Sequence, residues 1–153
     1  MNALKPNIRI QRFVFDIGEE SRRLTEGRTD LGALVAFTGL CRDEGGALAA
    51  LELEHYPGMA EEEIGRIAGE AAKRWPLLGL TIIHRMGRIR PGEPIVLVLT
   101  ASQHREPAFE AASFLMDYLK TRAPFWKREH RTDGGEGGWV AAKETDEAAA
   151  GRC

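Results

Sequence analysis

Cysteine is nearly missing from this chain of 153 residues. The two that occur, Cys41 and Cys153, make neither a disulfide framework nor the paired ligand spacing of a zinc site. Long apolar runs are missing as well. None approaches the roughly 18 residues of a membrane-spanning helix, and Met1 to Gln11, with Lys5, Pro6, Asn7 and Arg9, has no apolar core of an export signal. The expectation is a protein of the reducing cytoplasm, neither exported nor membrane-spanning. There is also no excess of positive charge: 21 Lys and Arg stand against 23 Asp and Glu, for a net charge of −2. That balance speaks against general nucleic-acid binding, so any anion site must be local. The doubled glycines Gly45-Gly46, Gly134-Gly135 and Gly137-Gly138 lack the Lys-Ser/Thr or strand-turn-helix setting of nucleotide loops, and no Gly-x-Ser-x-Gly elbow occurs. His55 and His84 have no carboxylate or cysteine partners at ligand spacing and are read as structural, with no metal site expected.

What is present is the composition of an ordinary globular protein, 43% hydrophobic and 29% charged. The length suits a single domain, expected over residues 1–140, with residues 141–153 a charged, alanine-rich tail. Ile8 to Phe15 is rich in β-branched and aromatic residues and predicts a first strand; Gly18 to Gly27 predicts a short polar helix. Leu31 to Thr38 is a nearly continuous apolar run that suits a strand buried on both faces, a helix remaining open on periodicity alone. A glycine-bearing loop, Gly39 to Gly46, follows. Ala47 to His55 alternates leucine with glutamate like a half-exposed strand, and Pro57-Gly58 breaks it. Met59 to Trp75 carries Ile64, Ile67, Ala68, Ala71 and Ala72 at helical spacing. Leu80 to Met86 and Pro94 to Ala101 predict two strands joined by a hairpin-like connection, and Glu106 to Leu119 a helix with Pro107 suited to its first position. Phe125 to Arg131 reads as a strand, Thr132 to Gly138 as a loop, and Trp139-Val140 as the start of a short last element. Helices interspersed among mostly hairpin-linked strands indicate an α+β fold.

One stretch stands apart from this regular pattern. In Lys120-Thr121-Arg122-Ala123-Pro124-Phe125-Trp126-Lys127-Arg128-Glu129, four cations cluster in a slightly acidic chain. Pro124 cannot continue the helix before it, so the chain must turn just after Arg122, with Lys120 on the last helical turn and Lys127 on the next strand. Such a turn brings two ammonium groups to one side of a cleft that would hold an anion. The same residues equally suit a helix C-terminus, where cations offset the dipole. His104-Arg105 precedes a helix, whose free N–H groups and partial positive charge favour phosphate or carboxylate; both also fit a solvated loop. Arg42, after the Gly39 turn, suits bidentate binding of phosphate or a surface pair with Asp43 or Glu44. Cys41 beside it reads as a small packing residue, since a nucleophile would need an activated thiol.

Phe37-Thr-Gly-Leu-Cys-Arg42, Leu53-Glu-His-Tyr-Pro-Gly-Met59, Ile83-His-Arg-Met-Gly87, His104-Arg105 and Met116-Asp-Tyr-Leu-Lys-Thr-Arg-Ala-Pro-Phe-Trp-Lys-Arg-Glu129 follow one another in unbroken order. With these segments the chain resembles the large, catalytic subunits of molybdopterin synthases from about Ile8 to Trp139. The resemblance implies an α/β-hammerhead type of fold, with a mostly antiparallel sheet and packed helices. It implies a homodimer that binds a small ubiquitin-like sulfur-carrier subunit on each copy, giving a heterotetramer. The carrier's C-terminal glycine thiocarboxylate then donates sulfur to cyclic pyranopterin monophosphate, and no cofactor is implied. On the family pattern Lys120 and Lys127 are catalytic, while Leu40, Cys41, Arg42, His104, Arg105, Arg128 and Glu129 bind the substrate. Two departures stand out: the loop from Asp43 to Ala47 is short for the family, and Cys41 occupies a position where a small aliphatic residue is more usual. A non-catalytic module that docks a ubiquitin-like tail or a phosphorylated metabolite accounts for the same cations. A small RNA-binding domain would need a basic face with interleaved aromatics, which only Phe125-Trp126 offers.

Overall fold

Apolar residues that alternate along strands and recur at helical spacing must share an interior, and here they gather in three clusters. The computed structural model describes residues 4–43 and 45–141. In chain order the elements are β1 (Asn7–Gln11), α1 (Ile17–Thr25), β2 (Ala33–Leu40), β3 (Leu48–His55), α2 (Met59–Arg74), β4 (Leu77–Arg85), β5 (Gly87–Ile89), β6 (Pro94–Ser102), α3 (Arg105–Thr121), β7 (Phe125–Arg131) and β8 (Val140–Ala141). They build two four-stranded sheets, ordered β1-β4-β6-β2 and β5-β3-β7-β8. Every pairing is antiparallel except that of β1 with β4. The mostly antiparallel α+β arrangement with packed helices agrees with the expectation from sequence.

The first sheet is covered on both faces. Ile82 and Val98 face α2 and α3, joining Ile64 and Leu115, while Ile83, Leu97 and Leu99 face the other way, onto Phe15 and Leu24 of the α1 side. Successive strand residues point to opposite faces, so a strand covered on both sides reads as an unbroken apolar run, as Pro94 to Ala101 does. The third cluster, Cys41, Leu53 and Ile89, joins the second sheet to the first.

Four of the differences from the sequence reading have identifiable reasons. Strand β1 stops at Gln11, four residues early: the Gln11 amide donates to the Phe13 carbonyl at 2.9 Å, and Phe13 and Val14 are exposed. Strand β2 runs on through Gly39 and Leu40, because the backbone of β6 continues to offer partners as far as Pro94. The connection between β4 and β6 is more than a hairpin: beginning at Gly87, whose φ of 82° suits glycine, three residues leave the first sheet and pair with β3 as β5. Pro107 is the third residue of α3 rather than the first, still within the turn whose N–H groups lack intrahelical acceptors. The expected tail lies, beyond Ala141, outside the described residues.

Candidate functional site

The turn from α3 into β7 positions the central cations. The backbone N–H groups of Arg122 and Ala123 both donate to the Tyr118 carbonyl, at 2.8 and 3.1 Å, and that of Phe125 to the Ala123 carbonyl at 2.8 Å. Pro124, lacking an N–H, sits where the helix must end. Lys120 therefore projects from the last turn of α3, and Lys127 from β7, where it lies opposite Leu53 of β3. Both line one cavity of about 320 Å³ between the two sheets and α3. Its walls are mainly apolar, with Phe37, Leu40, Leu53, Val96, Met116 and Leu119 contributing. Among the described residues that line it there is no Asp or Glu. Two ammonium groups against apolar walls make a site for anions, since the low local dielectric strengthens attraction to any negative group that enters.

The site residues expected from sequence divide into two groups. Lys120, Lys127 and Leu40 line the cavity together. The others do not reach it within one chain. His104 and Arg105 are exposed at the start of α3, and the 17 residues of that helix separate them from Lys120 by about 24 Å at 1.5 Å per residue. Arg42 is exposed in the loop after β2. Arg128 points to the opposite face of β7 from Lys127, where its guanidinium meets Glu136 at 3.0 Å and stacks on Trp139 at 4.4 Å. Glu129 is exposed further along the strand. Cys41 is buried against Leu53 and Ile89, and burial, with Glu93, Asp43 and Glu129 nearby, pushes its thiol pKa up. A thiol held protonated is a packing group, not a nucleophile.

The sequence pattern makes His84 a structural residue, yet its ring lines the cavity with the two lysines. It lies 2.8 Å, through Nδ1, from the Arg85 carbonyl oxygen and stacks on Phe125 with 3.9 Å between ring centroids and 14° between planes. Burial, chiefly, with His55 and Lys127 adding to it, pushes its pKa down to about 4. The available signal was one polar ring inside the apolar strand Thr81-Ile-Ile-His84, but what it faces depends on β7, more than 40 positions later. Phe125 is buried beneath this ring, so the aromatic pair expected of an RNA-binding face is not on the surface as a pair.

A larger cavity, about 520 Å³, lies between α1 and the start of β4, with Lys5, Arg23 and Arg28 in its lining. Its arginines are already engaged, Arg23 with Glu19 and Glu20 and Arg28 with Asp30. An anion there would compete with carboxylates, so the smaller cavity is the better candidate. Among the described residues no cluster of three or more His, Cys, Asp or Glu side chains is placed to hold a metal ion, and no helix is long and apolar enough to cross a membrane.

Comparison with known proteins gives consistent matches. The sequence profile described as MoaE protein matches residues 10–122. A protein of Mesorhizobium japonicum named molybdopterin synthase catalytic subunit is 72% identical over 150 residues, covering 98% of this chain and 94% of that one. The Escherichia coli protein of the same name is 52% identical over 140 residues, covering 90% and 91%. Among solved structures, the molybdopterin biosynthesis MoaE protein of Burkholderia ambifaria superposes with a TM-score of 0.81 at 48% identity, covering 97% of each chain.

Proposed function

Because the chain belongs to the MoaE family of molybdopterin synthase catalytic subunits, we propose that its lysine-lined cavity is where sulfur passes from a carrier thiocarboxylate to cyclic pyranopterin monophosphate. The protein is a sulfurtransferase of molybdenum-cofactor biosynthesis and works with a small sulfur-carrier subunit. One observation carries the site assignment: Lys120 and Lys127, from a helix end and a strand, share one apolar-walled cavity whose described lining residues include no carboxylate. Both reactants are anions and repel one another. At an effective dielectric near 20, a unit charge about 4 Å from an ammonium gains about 4 kcal/mol, enough to offset that repulsion.

Lys120 takes the central role. Its side-chain nitrogen polarises the thiocarboxylate carbonyl and assists the proton transfers that accompany sulfur addition and loss of water. Lys127 stabilises the negative charge developing beside it. The apolar wall formed by Leu53, Met116 and Leu119 restricts water around the reacting sulfur.

The remaining cations require a second copy. Beside α3 runs a groove lined by Val35, Phe37, Phe109, Ala112 and Met116, with Lys120 at one end. Phe109 is 60% exposed and Phe37 38%. An exposed apolar strip of this kind suits a two-fold, self-complementary contact. Two α3 helices packed antiparallel there would set His104 and Arg105 of one copy beside Lys120 of the other.

The test is single-turnover sulfur transfer from a thiocarboxylated carrier at saturating concentration, with detection of the dithiolene product. Lys120→Ala is expected to lower the rate by about 10²–10³, the usual loss when a group that stabilises developing charge is removed. Lys127→Ala should lower it by at least about tenfold, with carrier still bound. Wild-type turnover in both variants would remove this assignment and leave a binding role only.

A further inference from the structure

We propose that the outer face of the second sheet carries a binding site for an organic cation, a guanidinium held by Tyr56, Trp126, Trp139 and Glu54. Side chains alternate along β7, so Phe125 and Lys127 face inward to the lysine cavity while Trp126 and Arg128 face the other way. On that outer side a separate cavity of about 310 Å³ is lined by Glu54, His55, Tyr56, Trp126 and Trp139. Tyr56 and Trp126 meet edge to face, with 5.4 Å between centroids and 82° between planes, and form a corner of two aromatic walls. Trp139, 39% exposed, supplies a third. Glu54 is the cross-strand partner of Trp126, which brings its carboxylate beside the indole. His55 belongs to the inner face, where its ring meets Phe125, and so borders the outer cavity with its backbone.

The charge of the ligand follows from what surrounds the cavity. The faces of aromatic rings are electron-rich and attract a cation that comes within about 6 Å of the ring centre. Trp139 already does so: the Arg128 guanidinium lies 4.4 Å from its centroid. Arg128 is not in the cavity lining, and its charge is matched by Glu136 at 3.0 Å. Glu52, on the same face of β3, is likewise engaged, by His130 at 2.8 Å. Glu54 has no hydrogen-bond or ion-pair partner among the described residues. An unneutralised carboxylate bounded by aromatic rings complements a positive group and repels phosphate or carboxylate. A guanidinium suits it better than an ammonium, because its flat surface stacks on an indole while its N–H edge reaches the carboxylate, and it is the less strongly hydrated of the two. An arginine side chain of another polypeptide and a free guanidino compound offer the same chemistry.

The probe is N-acetylarginine amide, with N-acetylcitrulline amide as a control of the same shape and no charge. Each is titrated into the full chain and followed through the indole N–H signals in ¹H–¹⁵N spectra. The arginine compound should shift Trp126 and Trp139 saturably and leave Trp75, which donates to Glu110 at 3.1 Å, unmoved. Tyr56→Leu and Glu54→Gln, neither of them in the core, should each weaken that binding by about two- to fivefold, the size of one exposed cation–π or ion-pair contact. Equal shifts with citrulline would mean a crevice indifferent to charge, and no saturable shift with either compound would mean no site; both overturn the proposal. The sulfur carrier then separates the two sources of the cation. If the same variants weaken carrier binding in proportion, the guanidinium comes from the carrier's surface; if carrier affinity holds while arginine amide binding falls, the site serves a free guanidino compound. None of these readouts requires turnover, so the outcome is independent of the roles assigned to Lys120 and Lys127.

Discussion

At the scale of single residues, His84 couples the site to stability. Its native pKa lies near 4, while in the unfolded chain it returns toward 6.5. Between those values the unfolded state binds the extra proton, so stability falls as pH falls through that window and is fully present above it. At about 1.4 kcal/mol per pH unit, this one ring costs on the order of 3 kcal/mol by pH 4. Urea denaturation of wild type and His84→Phe at pH 7 and pH 4.5 isolates the effect from that of the carboxylates. Stability should drop less in the variant than in wild type, and parallel drops would mean the native ring titrates normally. Cys41 illustrates the contrary case, a buried group whose protonated form is the neutral one and which burial therefore keeps protonated.

At the scale of elements, the site depends on where β2 and α3 are anchored relative to β6. Gly32, just before β2, donates its N–H to the Ser102 carbonyl at 3.0 Å, and a Cβ there would stand 2.1 Å from the Gln103 carbonyl oxygen. No side chain fits against backbone at that distance. Gln103 is also the residue through which β6 hands over to His104 and α3, so an added methyl would push two elements apart. Gly32→Ala is expected to cost about 2–3 kcal/mol, within the range of strongly destabilising single changes. Its urea midpoint should fall accordingly; an unchanged midpoint would show that the β2 entry yields freely. Leu115 and Ile64 make the opposite kind of anchor, fully buried side chains that hold α3 and α2 against the sheet.

At the scale of the whole molecule, 17 residues of α3 keep Arg105 and Lys120 at opposite ends of one helix. The proposed sharing of the site between copies has a distinctive consequence. A dimer of one Lys120→Ala chain and one Arg105→Ala chain contains one intact site, because each supplies what the other lacks. Co-refolding the two inactive variants in equal amounts should restore about a quarter of wild-type activity, since random pairing makes half the dimers mixed and each has one of two sites. No recovery would place all the working cations within one chain.

Much of this architecture was legible in the order of residues. Alternation and helical spacing located the three helices and most of the strands, because local periodicity records which side of an element is buried. Pro124 set the place of the turn that carries Lys120 and Lys127, since a ring without an N–H ends a helix wherever it stands. The family motifs named the chemistry. Strand β5 was hidden, because three residues carry too little periodicity and their partner β3 lies more than 30 positions earlier. His84 was hidden for the same reason: its stacking on Phe125 and its place in the cavity that Lys127 also lines depend on distant strands. The sequence by itself thus determined the elements and the cations they carry, through local sterics and patterning. Only the tertiary structure decided which cations share a cavity and that a neutral imidazole stands with them, because that depends on packing across two sheets.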